Sequence, residues 1–219
     1  GVVASDVAKV GGNRVNAAAA SYGTGLAIFA FGDSSGNVND KNLVNSSGVV
    51  ASDSSGAGSA RSGLAACGYG FDKAIFAFGK TSTEVSMSNL VTNEGVIGND
   101  VTGVGTARRL LQGASYAGGD KGIIYSGWTG SAEVSTSNLV SNEGVVASDV
   151  SGVGAGGKGG AGCSYGGDKA IFSYGSGPSD AIVNTRRLVN SSGVIASDAS
   201  GAGTVRYYPA ACGYSNVAN

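Results

Sequence analysis

Short apolar runs alternate with clusters of Gly, Ser, Asn and Asp along the whole chain. Between positions 48 and 91 four such runs stand out, at 48–52, 62–69, 73–78 and 85–91. Runs of this length, rich in Val, Ile, Phe and Tyr and fenced by turn residues, have the pattern of β-strands. Glycine breaks every window long enough for a helix, so the pattern predicts an all-β chain. The stretch Gly68-Tyr69-Gly70-Phe71-Asp72-Lys73 predicts a tight turn joining two antiparallel strands.

The same grammar returns at a nearly fixed period. Gly-Val-Val or Gly-Val-Ile begins at Gly1, Gly48, Gly95, Gly144 and Gly193, with spacings of 47, 47, 49 and 49 residues. An aspartate follows five positions later each time, at Asp6, Asp53, Asp100, Asp149 and Asp198. Arg14, Arg61, Arg108 and Arg206 stand thirteen positions after their glycines, and Lys158 falls one position later in the fourth copy. An aromatic phrase recurs as Ile28-Phe29-Ala30-Phe31-Gly32, Ile75-Phe76-Ala77-Phe78-Gly79 and Ile171-Phe172-Ser173-Tyr174-Gly175. In the third copy the aligned phrase is Ile124-Tyr125-Ser126-Gly127-Trp128. Asn-Leu-Val recurs at Asn42, Asn89 and Asn138, with Arg187-Leu188-Val189 in the fourth copy. Such self-similarity marks a repeat architecture, a single repeat domain over 1–219.

Four strands per period suit a propeller blade, whose repeats run ~40–50 residues, better than a β-solenoid with its shorter rungs. The small-residue run Leu64-Ala65-Ala66-Cys67-Gly68 would stand innermost, and Ala74-Ile75-Phe76-Ala77-Phe78 would pack between neighbouring blades. The architecture expected is a β-propeller of four-stranded antiparallel blades. Four full blades fall at about 15–53, 61–100, 109–149 and 159–198. A split fifth blade would take 205–214 as its inner strand and 1–8 as its outer strand, closing the ring or pairing with another chain. Beginning at Gly1 inside a repeat, the chain reads as a processed product or part of a longer polypeptide.

Composition narrows the function. Of 219 residues 40 are Gly and 2 are Pro, and 42% are hydrophobic against 13% charged, which fits a folded chain rather than collagen or disorder. A net charge of −1 offers no footprint for a phosphate backbone, so nucleic acid is not an expected partner. The absence of histidine removes the commonest general base and metal ligand. No apolar stretch reaches the ~20 residues that span a bilayer. No metal, no cofactor, no membrane insertion and no enzymatic activity are expected.

Several residues carry candidate roles. Asp6 with Arg14, Asp53 with Arg61, Asp100 with Arg108, and Asp198 with Arg206 stand eight apart, and each reads as an ion pair fixing the crossing between blades. One carboxylate per loop is thin for calcium, so these aspartates otherwise cap turns. Cys67, Cys163 and Cys212 share a position with Ala20 and Ala114, which makes them small buried apolar residues. A Cys163–Cys212 bridge would need unusually close Cβ atoms. Glu84, Glu94, Glu133 and Glu143 fall at repeat-equivalent positions, the pattern of surface decoration rather than of a glycosidase pair. The repeat is broken most clearly by Trp128, Arg108-Arg109, Arg186-Arg187 and Tyr207-Tyr208, residue types that dominate binding hot spots. Trp128, taken to replace Phe31, Phe78 and Tyr174, also fits a packed core aromatic. Asn45 and Asn190 begin Asn-Ser-Ser sequons in turn-like phrases.

The pattern Asp72-Lys73-Ala74-Ile75-Phe76-Ala77-Phe78-Gly79, then Ser86-Met87-Ser88-Asn89-Leu90-Val91, then Gly95-Val96-Ile97 and Gly103-Val104-Gly105-Thr106-Ala107-Arg108, resembles a kelch-like propeller repeat. It is also similar to the repeated, low-charge propeller sequences of tail-associated and other virion proteins of marine bacteriophages. The resemblance covers nearly the whole chain. It implies a non-enzymatic structural or interaction module in a virion or extracellular assembly. Its partners would be other assembly proteins or copies of itself. The alternatives are a carbohydrate-binding propeller recognising cell-surface glycan and, more distantly, a glycoside hydrolase.

Overall fold

The computed structural model describes Ser5 and residues 8–213. Each of the four full repeats yields its own antiparallel sheet. Sheet one holds β1 (Ala18–Tyr22), β2 (Leu26–Ala30), β3 (Asp40–Val44) and the two-residue β4 (Ser54–Ser55). Sheet two holds β5 (Ala65–Tyr69), β6 (Lys73–Ala77) and β7 (Ser88–Val91); sheet three holds β8 (Gln112–Tyr116), β9 (Lys121–Tyr125) and β10 (Ser137–Val140). Sheet four holds β11 (Ala161–Tyr165), β12 (Lys169–Ser173) and β13 (Arg186–Val189). The predicted hairpin is present, with Tyr69 opposite Lys73 across a turn at 70–72.

The chain is all-β, but the propeller expectation is overturned. Among the described residues only one sheet has four strands, the other three have three, and none is closed or propeller-like. A split fifth blade is not formed either, since 205–213 carries no strand. The outer strand expected at 1–8 falls, apart from Ser5 and Ala8, outside the described residues. The missing fourth strands have a local cause. Gly48, Gly95, Gly144 and Gly193 adopt φ of 76 to 80°, and the run that each begins folds into a turn. The side chains of Asn45, Thr92, Ser141 and Asn190 accept hydrogen bonds from the N–H groups of Val49, Val96, Val145 and Val194. The N–H groups of Ala51, Gly98, Ala147 and Ala196 still donate to the third strand at Leu43, Leu90, Leu139 and Leu188. The carbonyls of Ala51, Gly98 and Ala147, however, are taken by the side-chain amides of Asn42, Asn89 and Asn138, which interrupts the ladder. What remains of a fourth strand is a set of isolated bridges: Val50, Ile97, Val146 and Ile195 bridge back to the third strand near the turn, and Val101, Val150 and Ala199 do so farther along.

Register corrects the alignment of the third repeat. Ile28, Ile75, Ile123 and Ile171 occupy the same place, each opposite a leucine of the third strand: Leu43, Leu90, Leu139 and Leu188. The aromatic phrase of the third copy therefore begins at Ile123, and Ser126, not Trp128, stands where Phe31, Phe78 and Tyr174 stand. All four residues share a φ near +60°, followed by a left-handed glycine. Trp128 instead matches Asp33, Lys80 and Ser176 and bridges to Arg109.

The sheets pack face to face in chain order through three apolar cores. Tyr22, Ile28 and Phe31 of sheet one meet Phe76, Val91 and Ile97. Tyr69, Ile75 and Phe78 of sheet two meet Ile124, Val140 and Val146. Tyr116, Ile123 and Tyr125 of sheet three meet Phe172, Val189 and Ile195. The first strands β1, β5, β8 and β11 are successive neighbours. Their small residues, together with Cys212, line a common cavity of about 300 Å³. Just ahead of these strands a hydrogen-bond ladder joins equivalent residues. The N–H groups of Gly63, Leu110, Gly159 and Tyr208 donate to the carbonyls of Asn16, Gly63, Leu110 and Gly159. All five residues are left-handed, with φ of 53 to 63°. For Leu110 and Tyr208 that conformation costs about 1 kcal/mol or more, and the ladder holds it.

Candidate functional site

The repeated charges form staples, but with partners other than those the spacing suggested. Arg14 reaches Asp53, Arg61 reaches Asp100 and Arg108 reaches Asp149 at 3.9, 3.8 and 3.7 Å. The eight-residue pairs Asp53–Arg61 and Asp100–Arg108 are not formed. Asp6 lies outside the described residues. Asp198 pairs with Arg187, and Arg206 lies over the Tyr174 ring at 5.3 Å. The aspartate beyond the third strand thus ties back to the segment ahead of the first strand, through an arginine at Asp53, Asp100 and Asp149 and through the Ala155 N–H at Asp198. Gly12, Ser59, Thr106 and Ala155 donate backbone N–H groups to the four carboxylates. Asn42, Asn89 and Asn138 of the third strands donate to Asp53, Asp100 and Asp149.

The second and third staples also clamp the preceding sheet. The Arg61 guanidinium lies 4.4 Å from the Phe31 ring centroid, and that of Arg108 lies 4.3 Å from Phe78. Both side chains are fully buried. Arg108 Nε donates to Ser126 O at 2.8 Å and its Nη2 donates to Asn138 Oδ1, while Arg61 donates to Phe78 O and Phe76 O. Burial lowers both arginines to about 10, against the pull of Asp100 and Asp149, so both stay charged at neutral pH.

At the last junction the parts change places. Gly157 stands where the arginine belongs, and the guanidinium comes from Arg187, at the position of Asn42, Asn89 and Asn138. The aromatic comes from Tyr125, one residue before Ser126. Arg187 lies 5.3 Å from the Tyr125 centroid and donates to Asp198 and to Ala155 O. Arg108 and Arg187 are therefore framework residues. Arg186, exposed on β13, donates to Ser200 O.

The remaining repeat-breaking residues come together. Arg109 and Trp128 pair through their backbones, and Arg109 Nε stands 3.5 Å from Glu84. Lys158, which sequence reasoning took for a displaced staple arginine, lies 4.3 Å over the Trp128 ring and bonds Glu133 at 2.9 Å and Asp180 at 2.7 Å. Burial works to lower the Lys158 pKa, but the hydrogen bonds it donates to Asp180 and Glu133 outweigh it and hold it above the ordinary value. The signal that could have found Lys158 is Gly157, which already fills the staple position.

Tyr207 and Tyr208 stack at 4.0 Å, and the Tyr207 hydroxyl donates to that of Tyr208. Burial and then this bond push Tyr208 up to about 12, with Lys158 and Arg109 pulling the other way. Tyr208 lines a cavity of about 540 Å³ with Val15, Asn16, Leu64, Leu111 and Gly159.

The cysteines are free; Cys67 is buried, Cys163 half-buried and Cys212 exposed. Among the described residues no cluster of three metal-ligating groups occurs, and no helix is long and apolar enough to cross a membrane. No protein-family model and no curated protein matches the chain.

Proposed function

We propose that the chain is a non-enzymatic interaction module, a structural component of an extracellular or virion-type assembly that meets its partner through the surface around Trp128 and Tyr208. The observation that carries this reading is the convergence of the departures from the repeat. Arg109, Trp128, Lys158 and Tyr208 gather at one end of the sheets, where an exposed tyrosine beside half-buried aromatic and cationic groups suits a contact surface. The neighbouring carboxylates suit structure better than turnover, because Glu84 pairs with Arg109, and Glu133 and Asp180 share Lys158. A second reading is glycan binding, favoured by the stacked tyrosines beside the 540 Å³ cavity with Asn16 at its wall.

Trp128 is the single tryptophan of the chain, so its emission reports on this surface alone. Titration with neutral and acidic oligosaccharides distinguishes the readings. A saturable emission change that Tyr208→Ala abolishes selects glycan; no change at millimolar sugar selects a protein partner. Turnover of chromogenic glycosides that disappears in Glu133→Gln overturns the non-enzymatic reading.

A further inference from the structure

The two end faces of the series of sheets are unfinished versions of the three interfaces inside it. Within the molecule, the second strand of each sheet offers an isoleucine to the sheet that follows. Ile28, Ile75 and Ile123 are fully buried there, as are the tyrosines Tyr22, Tyr69 and Tyr116 that end the first strands. Sheet four carries the same face in Ile171 and Tyr165, with no sheet after it among the described residues, and both are only half-buried. The opposite face obeys the same rule. Phe76, Ile124 and Phe172 are fully buried against the preceding sheet, and so are Val91, Val140 and Val189. In sheet one the equivalent Phe29 is 45% exposed and Val44 is half-buried.

These faces are complementary by construction. Position by position, sheet one presents what sheets two to four bury against their predecessors, and sheet four presents what sheets one to three bury against their successors. We propose that the occupant is a second copy of this chain, packed head to tail with its sheet one on sheet four. Such a contact is heterologous, so it propagates into a chain of copies unless the rotation closes it. The segment at 206–213 lies over the inner part of the sheet-four face. It holds on through Tyr208 N–H to Gly159 O, Gly175 N–H to Arg206 O, and Gly213 against Ser164. The β1 strand of the incoming copy takes that place, and the cost of displacing the segment makes the association weak and concentration-dependent.

The proposal deepens the reading of the chain as an interaction module and names one of its partners. Sedimentation over a wide concentration range tests it with Phe29→Asp, which spoils the sheet-one face, and Ile171→Asp, which spoils the sheet-four face. Leu188→Glu stands in for Ile171→Asp if thermal melts show the latter unfolded. The mass of the wild type is expected to rise with concentration, and each variant alone to stay monomeric. An equimolar mixture of the two variants is expected to reach twice the monomer mass and stop, because only one good pair of faces remains. A wild type that stays monomeric throughout, variants that associate like it, or a mixture that stays monomeric each overturn the proposal. Association would lift Tyr208 away from Gly159, so the sugar titration of the Trp128 surface is run at a concentration where the chain is monomeric, which keeps the two readings separate.

Discussion

The Arg187 guanidinium lies over the Tyr125 ring, 5.3 Å from its centroid, although neither residue stands where the repeat places its cation or its aromatic. The exchange is concerted. Tyr125 takes over from the position of Ser126, and Arg187 takes over from that of Gly157. Mutating one member alone should therefore cost more than half of what the pair costs together. A double-mutant cycle of Tyr125→Leu and Arg187→Gln, read by urea unfolding, is expected to give a coupling of about 0.5–2 kcal/mol. Additive effects would show that the ring and the cation act separately.

Arg108 should be the costlier staple. Its side chain is fully buried between Phe78 and Asp149, and its removal strands Asn138 and Asp149. Arg108→Ala is expected to lose about 3 kcal/mol of unfolding free energy. Arg108→Lys should recover little of that, since an ammonium cannot reach Ser126 O, Thr106 O and Asn138 together. Lysine restoring most of the stability would contradict the geometry.

Gly113 sits on β8 directly against β5 of sheet two. A Cβ there would stand 2.3 Å from Ala66 O, although the equivalent positions Ala19 and Ala66 carry one. Gly113→Ala must push the two sheets apart, with an expected loss of about 1–3 kcal/mol in chemical denaturation. Gly166→Ala, whose Cβ meets nothing, should show only the smaller cost of its φ of 62°.

Acid should loosen the staples. In Asp100 and Asp149 burial pushes the pKa up, but hydrogen bonds from Ser59 and Asn89, or from Thr106 and Asn138, together with the paired arginine, outweigh it and hold each below 3.8. In Asp53 the N–H of Gly12 and then Asn42 lead the lowering. A carboxyl that is more acidic when folded adds stability above its unfolded pKa and loses it as pH falls through the folded one. Thermal melts should therefore fall steadily as pH drops below 4, and Asp149→Asn should flatten that fall. A melting temperature constant from pH 5 to pH 2 would count against the staples.

The thiols should separate by burial. Burial pushes Cys67 up to about 12, outweighing the bond from Ile123, whereas Cys212 is exposed. Alkylation at mildly alkaline pH is expected to modify Cys212 first and Cys67 only upon unfolding. Early modification of Cys67 would show that the sheet-two core opens readily.

The strands were legible because their signals are local. Alternating Ile, Phe and Ala bounded by Gly and Asp needs no distant partner to be read as β, and the repeat marks equivalent strands by position alone. The turn residues Asn45, Thr92, Ser141 and Asn190 were equally local, yet their meaning was missed. Their side chains take the first N–H of the returning segment, and a strand pattern cannot show where that hydrogen bond goes. The candidate surface was half legible: Arg109, Trp128 and Tyr208 broke the repeat visibly, whereas Lys158 hid behind a one-residue shift.

By itself the sequence determined an all-β chain of repeated units, where its hairpins turn, and which positions hold charge or aromatic rings, since these follow from short-range sterics and periodicity. The tertiary structure alone decided the partners. Arg61 turns from the nearby Asp53 to the distant Asp100 because its buried guanidinium needs carbonyls, a ring and a carboxylate at once, and only the packing of sheet two behind Phe31 brings them together. The same packing let Arg187 and Tyr125 stand in for absent residues, because a guanidinium and a ring are selected by where they arrive and not by where they begin.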